Sequence, residues 1–194
     1  LRFGADADSG KWSAEPLPLP DNGTVSLSAA NPHSEMVLVN YEDHITPDRL
    51  SEYDAVANAL TLLKSLPARF RADGLQVSQH IARSADGEAV PYFVIHRRGL
   101  KLDGSTPTIL YGYGGFEISL KPSYSATIGK LWLERGGAYA VANIRGGGEF
   151  GPRWHKAALK TNRQRAYDDF IAVAEDLAKR GITSPERLGI SGGS

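Results

Sequence analysis

Two nearly continuous apolar runs, residues 108–111 and 138–144, set the tightest limit on what this chain can fold into. A strand wetted on one face alternates apolar and polar residues, so uninterrupted runs mark strands covered on both faces, as in a parallel sheet. Parallel neighbours need long crossovers, and the stretches around these runs have helical character. Residues 123–135 can form a helix. Residues 163–180 set Tyr167, Phe170, Ile171, Ala174, Leu177 and Ala178 on one stripe at i, i+3, i+4 spacing, with Gly181 as the C-cap. A turn at Thr183-Ser184-Pro185 leads to Leu188-Gly189-Ile190, which reads as a last buried strand. Before all of these come two extended stretches, 75–83 and 90–97, and Asp86-Gly87 between them signals a two-residue hairpin. The second half of the chain is therefore predicted to be α/β with a parallel sheet.

Glycine divides the chain into two regimes, because fifteen of the 21 lie between Gly104 and Gly193. The first regime holds short stretches rich in Val, Leu, Tyr and Thr (24–28, 35–41, 49–56 and 59–63). They are separated by Asn31-Pro32, residues 43–47 and Asn58, all turn-forming. Four short strands so spaced predict one antiparallel blade, which needs a cover for its apolar face and so belongs to a sandwich or a propeller. Residues 64–73 contain Pro67 and several basic side chains, and they are predicted to be a linker.

Composition then removes whole classes of function. With no cysteine there is no disulfide framework, no thiolate metal site and no cysteine nucleophile. The 22 basic and 22 acidic side chains balance, without a basic run or an acidic tail, so neither nucleic acid nor an anionic membrane is an expected partner. No apolar stretch approaches the roughly 20 residues of a membrane span. The chain opens on Leu1, its single methionine is Met36, and it closes on Gly192-Gly193-Ser194, so both ends are expected to be cuts within a longer protein.

Ligand crevices in open parallel sheets lie beyond the carboxyl ends of the strands, and three such ends are glycine-rich. They are Tyr111-Gly112-Tyr113-Gly114-Gly115-Phe116, Arg145-Gly146-Gly147-Gly148-Glu149 and Ser191-Gly192-Gly193-Ser194. The last resembles a nucleophile elbow, G-x-S-x-G, in two registers: 189–193 satisfies it with Ser191, while Gly192-Gly193-Ser194 supplies its first three positions. Spacing leaves both open. Tyr113 follows the strand whose loop donates to the oxyanion in α/β-hydrolases, so its phenol can serve there; the plain alternative is a tyrosine packed in a turn. In that fold the triad histidine follows the serine, and no histidine does so here. His155 with Asp168 or Asp169 mimics the chain order of another fold, whose β-barrel the alternation excludes. Asp168 and Asp169 read as helix-dipole charges, and His33, His44, His80 and His96 as solvated or structural. A dinucleotide fingerprint at Gly112-Tyr113-Gly114 fails because Glu117 occupies its third glycine position, and neither a phosphate loop nor a metal-binding histidine pair occurs.

Together, Leu110-Tyr-Gly-Tyr-Gly-Gly-Phe116, Val141-Ala-Asn-Ile-Arg-Gly-Gly-Gly-Glu149, Trp154-His155-Lys156 and Gly192-Gly193-Ser194 resemble the prolyl oligopeptidase family. The resemblance runs from about Leu75 to Ser194. It implies an α/β-hydrolase domain joined to a seven-bladed β-propeller. Residues 1–72 would be the end of the propeller, with its last blade at about 24–63, and 73–194 the N-terminal half of an incomplete hydrolase domain. It further implies a serine peptidase, without cofactor or metal, that cleaves short proline-containing peptides on the carboxyl side of proline, as a cytoplasmic monomer when full length. Carried over by position, the elbow selects Ser194 as nucleophile and makes Ser191 a strand residue. Tyr113 becomes the oxyanion donor and Phe116 part of the proline pocket. The second oxyanion donor and the triad Asp and His fall beyond Ser194, so residues 1–194 alone are expected to be inert. Glu117 departs from the asparagine of many members. The alternatives are an oligopeptidase B-like enzyme, an acylaminoacyl peptidase or esterase on the same fold, and a binding protein that has lost the triad.

Overall fold

The computed structural model describes residues 1–6 and 8–193. The chain divides into two compact units, Leu1–Pro67 with Pro122–Tyr124, and Ala68–Lys121 with Ser125–Ser194.

The first unit contains a short antiparallel pair, β1 (Arg2–Ala5) and β2 (Trp12–Glu15). Its larger part is a four-stranded antiparallel sheet of β3 (Thr24–Ala29), β4 (Met36–Glu42), β5 (Arg49–Asp54) and β6 (Ala59–Ser65), in that spatial order. Alternation sets its buried face: Val39 and Tyr41 on β4 are buried with Tyr53 on β5. The turn into β5 is an Asx turn, in which the Asp43 carboxylate accepts from the Ile45 and Thr46 backbone N–H groups at 2.7 and 2.6 Å and from the Tyr41 hydroxyl at 2.8 Å. Tyr124 N–H donates to Glu42 Oε2 at 2.9 Å, and the Thr24 hydroxyl donates to Pro122 O at 2.7 Å. Those two bonds tie 122–124 to this sheet. The helix expected over 123–135 is therefore shorter: Ser125 caps it, accepting from Ile128 N–H at 3.3 Å, and α1 runs Ala126–Leu131 before a 3₁₀ turn over Leu133–Arg135.

The second unit is built on a five-stranded mixed sheet of β7 (Leu75–Arg83), β8 (Ala89–Arg97), β9 (Thr108–Gly112), β10 (Ala138–Ala142) and β11 (Leu188–Ser191), in the order β11-β9-β10-β8-β7. β9 is parallel to both β10 and β11, with Leu110 opposite Ala140 and Ile190, while β8 is antiparallel to β7 and β10. Two further helices complete it, α2 (Pro152–Lys156) and α3 (Gln164–Lys179). The core lies between sheet and α3, where Tyr92, Val94, Leu110, Ala140, Val173 and Leu177 are buried together. Among the described residues no helix is long and apolar enough to cross a membrane.

Three expectations need correction. The β7–β8 loop has three residues rather than two: Ser84 N–H bonds Glu88 O at 2.9 Å, and Gly87 takes φ +86° between them. The buried stripe of α3 is turned toward the preceding residues, to Ala166, Asp169, Val173 and Leu177, leaving Tyr167 and Ile171 exposed. The cause is Asp169, which the sheet side of the helix draws inward, as shown below. Finally, among the described residues β11 pairs with β9 alone and Ile190 is 73% exposed, so this chain does not itself supply the cover expected for that strand.

Candidate active site

Because β9, β10 and β11 are parallel, their carboxyl ends open on one edge of the sheet, and the three glycine-rich segments meet there. Tyr111 stands opposite Ser191, and a Cβ placed on Gly192 would lie 3.1 Å from Gly112 O. The segment leaving β11 therefore runs beside the start of the β9 loop. Ser191, the last residue of β11, is exposed. Ser194, the nucleophile expected from the resemblance, lies outside the described residues.

The loop after β9 is held in an unusual backbone shape. Gly114 has φ +61°, and Phe116 and Glu117, neither of them glycine, have φ +51° and +57°. Consecutive left-handed residues with side chains persist only where the surroundings over-determine them. Here the surroundings are the loop after β10. Glu117 N–H donates to Gly146 O at 3.3 Å, and Gly148 N–H donates to Ile118 O at 3.2 Å. The backbones touch so closely that a Cβ on Gly146 would stand 2.2 Å from Gly114 O, and one on Gly148 2.0 Å from Glu117 O. Glycine is required at both positions for that reason. His155 also sits at this contact, with Nδ1 2.7 Å from Gly146 O and 3.1 Å from the Glu117 backbone nitrogen.

Arg145 anchors the supporting loop from below. Its guanidinium is buried and forks between two carboxylates, reaching Asp169 Oδ1 at 2.6 Å through Nη2 and Asp86 Oδ2 at 2.6 Å through Nη1. Its backbone N–H also donates to Asp169 Oδ2 at 2.9 Å, and Nη2 donates to Ser84 Oγ at 3.2 Å. Asp169 is fully buried (0% exposed). Hydrogen bonding to Asp169 first, and then to Asp86, holds the Arg145 proton more firmly than usual despite burial. The Arg145 guanidinium in turn holds the Asp86 carboxyl below its ordinary range. Asp169 is thus the structural partner of an arginine and not a dipole charge, whereas Asp168 accepts from Gln164 Nε2 at 2.9 Å. His155 is bonded to the Gly146 carbonyl, and Asp169 is committed to Arg145, so these residues do not assemble into a triad.

Two clefts open at this edge. One of about 290 Å³ is lined by Tyr113, Tyr167, Phe170, Ile190, Ser191 and Gly192. The other, of about 560 Å³, is lined by Tyr113, Phe116, Glu117, His155, Arg163 and Tyr167. Tyr113 faces both, its ring lying across Gly115, where a Cβ would be 3.4 Å from Cε1. Phe116 is 80% exposed. Among the described residues no group of three or more His, Cys, Asp or Glu side chains could hold a metal ion.

Sequence reading missed Arg145, Asp169 and Arg163. Arg145 had one visible signal, a charge closing a run of otherwise apolar strand residues. Residues 122–194, which contain β10, its loop and β11, match the model of the prolyl oligopeptidase family. Over those residues the chain is similar to that family. Similar proteins extend the match over nearly the whole chain. The uncharacterized peptidase y4nA of Sinorhizobium fredii is 56% identical over 97% of this chain and 26% of its own length. A solved prolyl endopeptidase is 37% identical with a TM-score of 0.83, covering 93% of this chain and 27% of that one. The structure of a post-proline cleaving enzyme from Rickettsia typhi is 37% identical with a TM-score of 0.79, covering 99% and 28%. The chain spans about a quarter of the length of the curated relatives it matches.

Proposed function

We propose that this chain belongs to a serine peptidase that cleaves short peptides after proline, and that it supplies the first half of an α/β-hydrolase catalytic domain, preceded by the last blade of a β-propeller. One observation carries the reading: Tyr113, on the loop after β9, stands beside the segment that leads from β11 to Ser194. A donor beside a nucleophile elbow is what acyl transfer needs.

In this reading the Ser194 hydroxyl attacks the carbonyl carbon of the proline residue and passes its proton to a histidine that follows in the longer protein. The Tyr113 hydroxyl donates to the oxygen as it gains negative charge. Collapse of the tetrahedral intermediate breaks the C–N bond, and the amine leaves with the proton from that histidine. Water then hydrolyses the serine ester by the same steps in reverse order. Phe116 packs against the proline ring, and no cofactor takes part. Phe116 supports this role by its exposure on the cleft rim.

The two elbow registers give the test. In the full-length protein, Ser194→Ala abolishes proline-peptide turnover and labelling by a serine-directed phosphonate, while Ser191→Ala keeps both. Labelling that survives Ser194→Ala and disappears with Ser191→Ala would overturn the assignment.

A further inference from the structure

The Gly114 carbonyl is boxed in by Gly146 on one side, as the 2.2 Å approach of a Cβ built there shows. The Arg163 guanidinium reaches the same oxygen, its Nη1 donating to it. Arg163 immediately precedes α3, and its guanidinium lies 5.3 Å from the centroid of the Tyr167 ring. That stacking fixes a side chain which would otherwise be free to rotate. Among the described residues no carboxylate pairs with Arg163, although Arg165, two residues on, lies 3.7 Å from Asp86. A half-buried guanidinium costs desolvation, and what it gains among the described residues is one backbone carbonyl and one aromatic face.

That carbonyl belongs to the turn that aims Tyr113. Gly114 sits in the left-handed region, and the Tyr113 ring rests across the next residue, Gly115. Turning the 114–115 peptide would move the surface on which the ring lies. We infer that Arg163 is a positioning residue: by fixing the Gly114 carbonyl it sets the direction of the Tyr113 hydroxyl. The inference rests on the reading of Tyr113 as oxyanion donor. An aimed donor loses much of its effect when displaced by a fraction of its bond length.

The experiment is a double-mutant cycle in the full-length protein, with a glycyl-prolyl anilide as substrate under conditions where acylation limits kcat. Arg163→Met should lower kcat by about tenfold while KM changes less than about twofold, since a displaced donor weakens the transition state alone. In a Tyr113→Phe background the same substitution should change kcat less than about twofold, because the hydroxyl it aims is already gone. Arg163→Lys, which can still donate to the carbonyl, should recover most of the loss. Arg163→Leu, which likewise cannot donate to the carbonyl, supplies the same reading should the methionine variant not fold. Equal losses in both backgrounds, or a rise in KM at constant kcat, would overturn the inference and leave Arg163 a packing or substrate-binding residue. A Tyr113→Phe enzyme with unchanged kcat would instead remove the oxyanion reading itself, and the inference with it.

Discussion

The loops after β9 and β10 are both rich in glycine and lie against one another, yet their glycines do opposite work. In the β10 loop, Gly146 and Gly148 are small because another backbone occupies the space a side chain would need. That loop is bonded to a buried ion pair below it and is a rigid seat. In the β9 loop the glycines let the chain turn so that side chains, Tyr113 and Phe116, can face a cleft, and the non-glycine residues there carry the backbone strain. Glycine content alone marks a tight place. Whether the tightness serves packing or chemistry depends on what the glycine touches, and the two loops should answer differently to substitution.

The largest effect is expected at the foot of the seat. Asp169→Ala leaves the Arg145 guanidinium buried with only the half-exposed Asp86 as counter-ion, and losing one partner of a buried pair costs about 3–5 kcal/mol. Urea denaturation of the full-length protein, followed by tryptophan fluorescence, should show the midpoint fall. A drop under about 1 kcal/mol, the scale of an exposed pair, would mean that Arg145 is rescued by Asp86 and that the seat does not depend on Asp169.

Next in size is Gly146→Ala. Its φ of +97° is foreign to residues with a side chain, and the new Cβ would stand 2.2 Å from a backbone oxygen that cannot rotate away. A loss of about 2–3 kcal/mol is expected, together with a fall in kcat, because Gly114 must shift to make room. Retention of both would show that the two backbones can part without consequence. That would erase the distinction between seat and site.

Part of this arrangement was legible before any coordinates. The strands at 108–111 and 138–144 were found within two residues because a strand covered on both faces must be apolar throughout. Helix α3 was found for a similar reason, yet its buried face was misjudged. Periodicity counts every aspartate as solvent-facing, so Asp169 counted against the face it occupies. Only the long-range partner, Arg145, reverses its sign, and a separation of 24 residues leaves no local trace. Arg163 was hidden for a different reason: its acceptor is a backbone carbonyl, which is the same atom in every residue. Tyr113 and Phe116 were singled out through resemblance, whereas the strain at Phe116 and Glu117 was not, since neither residue type advertises a left-handed backbone.

That strain gives the smallest effect and the finest separation of seat from site. Phe116 has φ +51° and is 80% exposed, so its ring contributes little packing to the folded chain while its backbone carries a penalty that glycine would not. Phe116→Gly removes ring and penalty together, whereas Phe116→Ala removes the ring and keeps the penalty. Left-handed backbone costs a residue with a Cβ about 1–2 kcal/mol, and the extra chain entropy of glycine takes back about 0.5–1 kcal/mol. The glycine variant should therefore be more stable than the alanine variant by up to about 1 kcal/mol in the same urea experiment. Both variants should raise KM for a proline peptide by a similar factor if, as proposed, the Phe116 ring meets the substrate. Equal stability of the two would mean that the backbone relaxes once the ring is gone and that the ring itself imposed the strain. A raised KM in the alanine variant alone would place the loss in the backbone and take Phe116 out of the pocket.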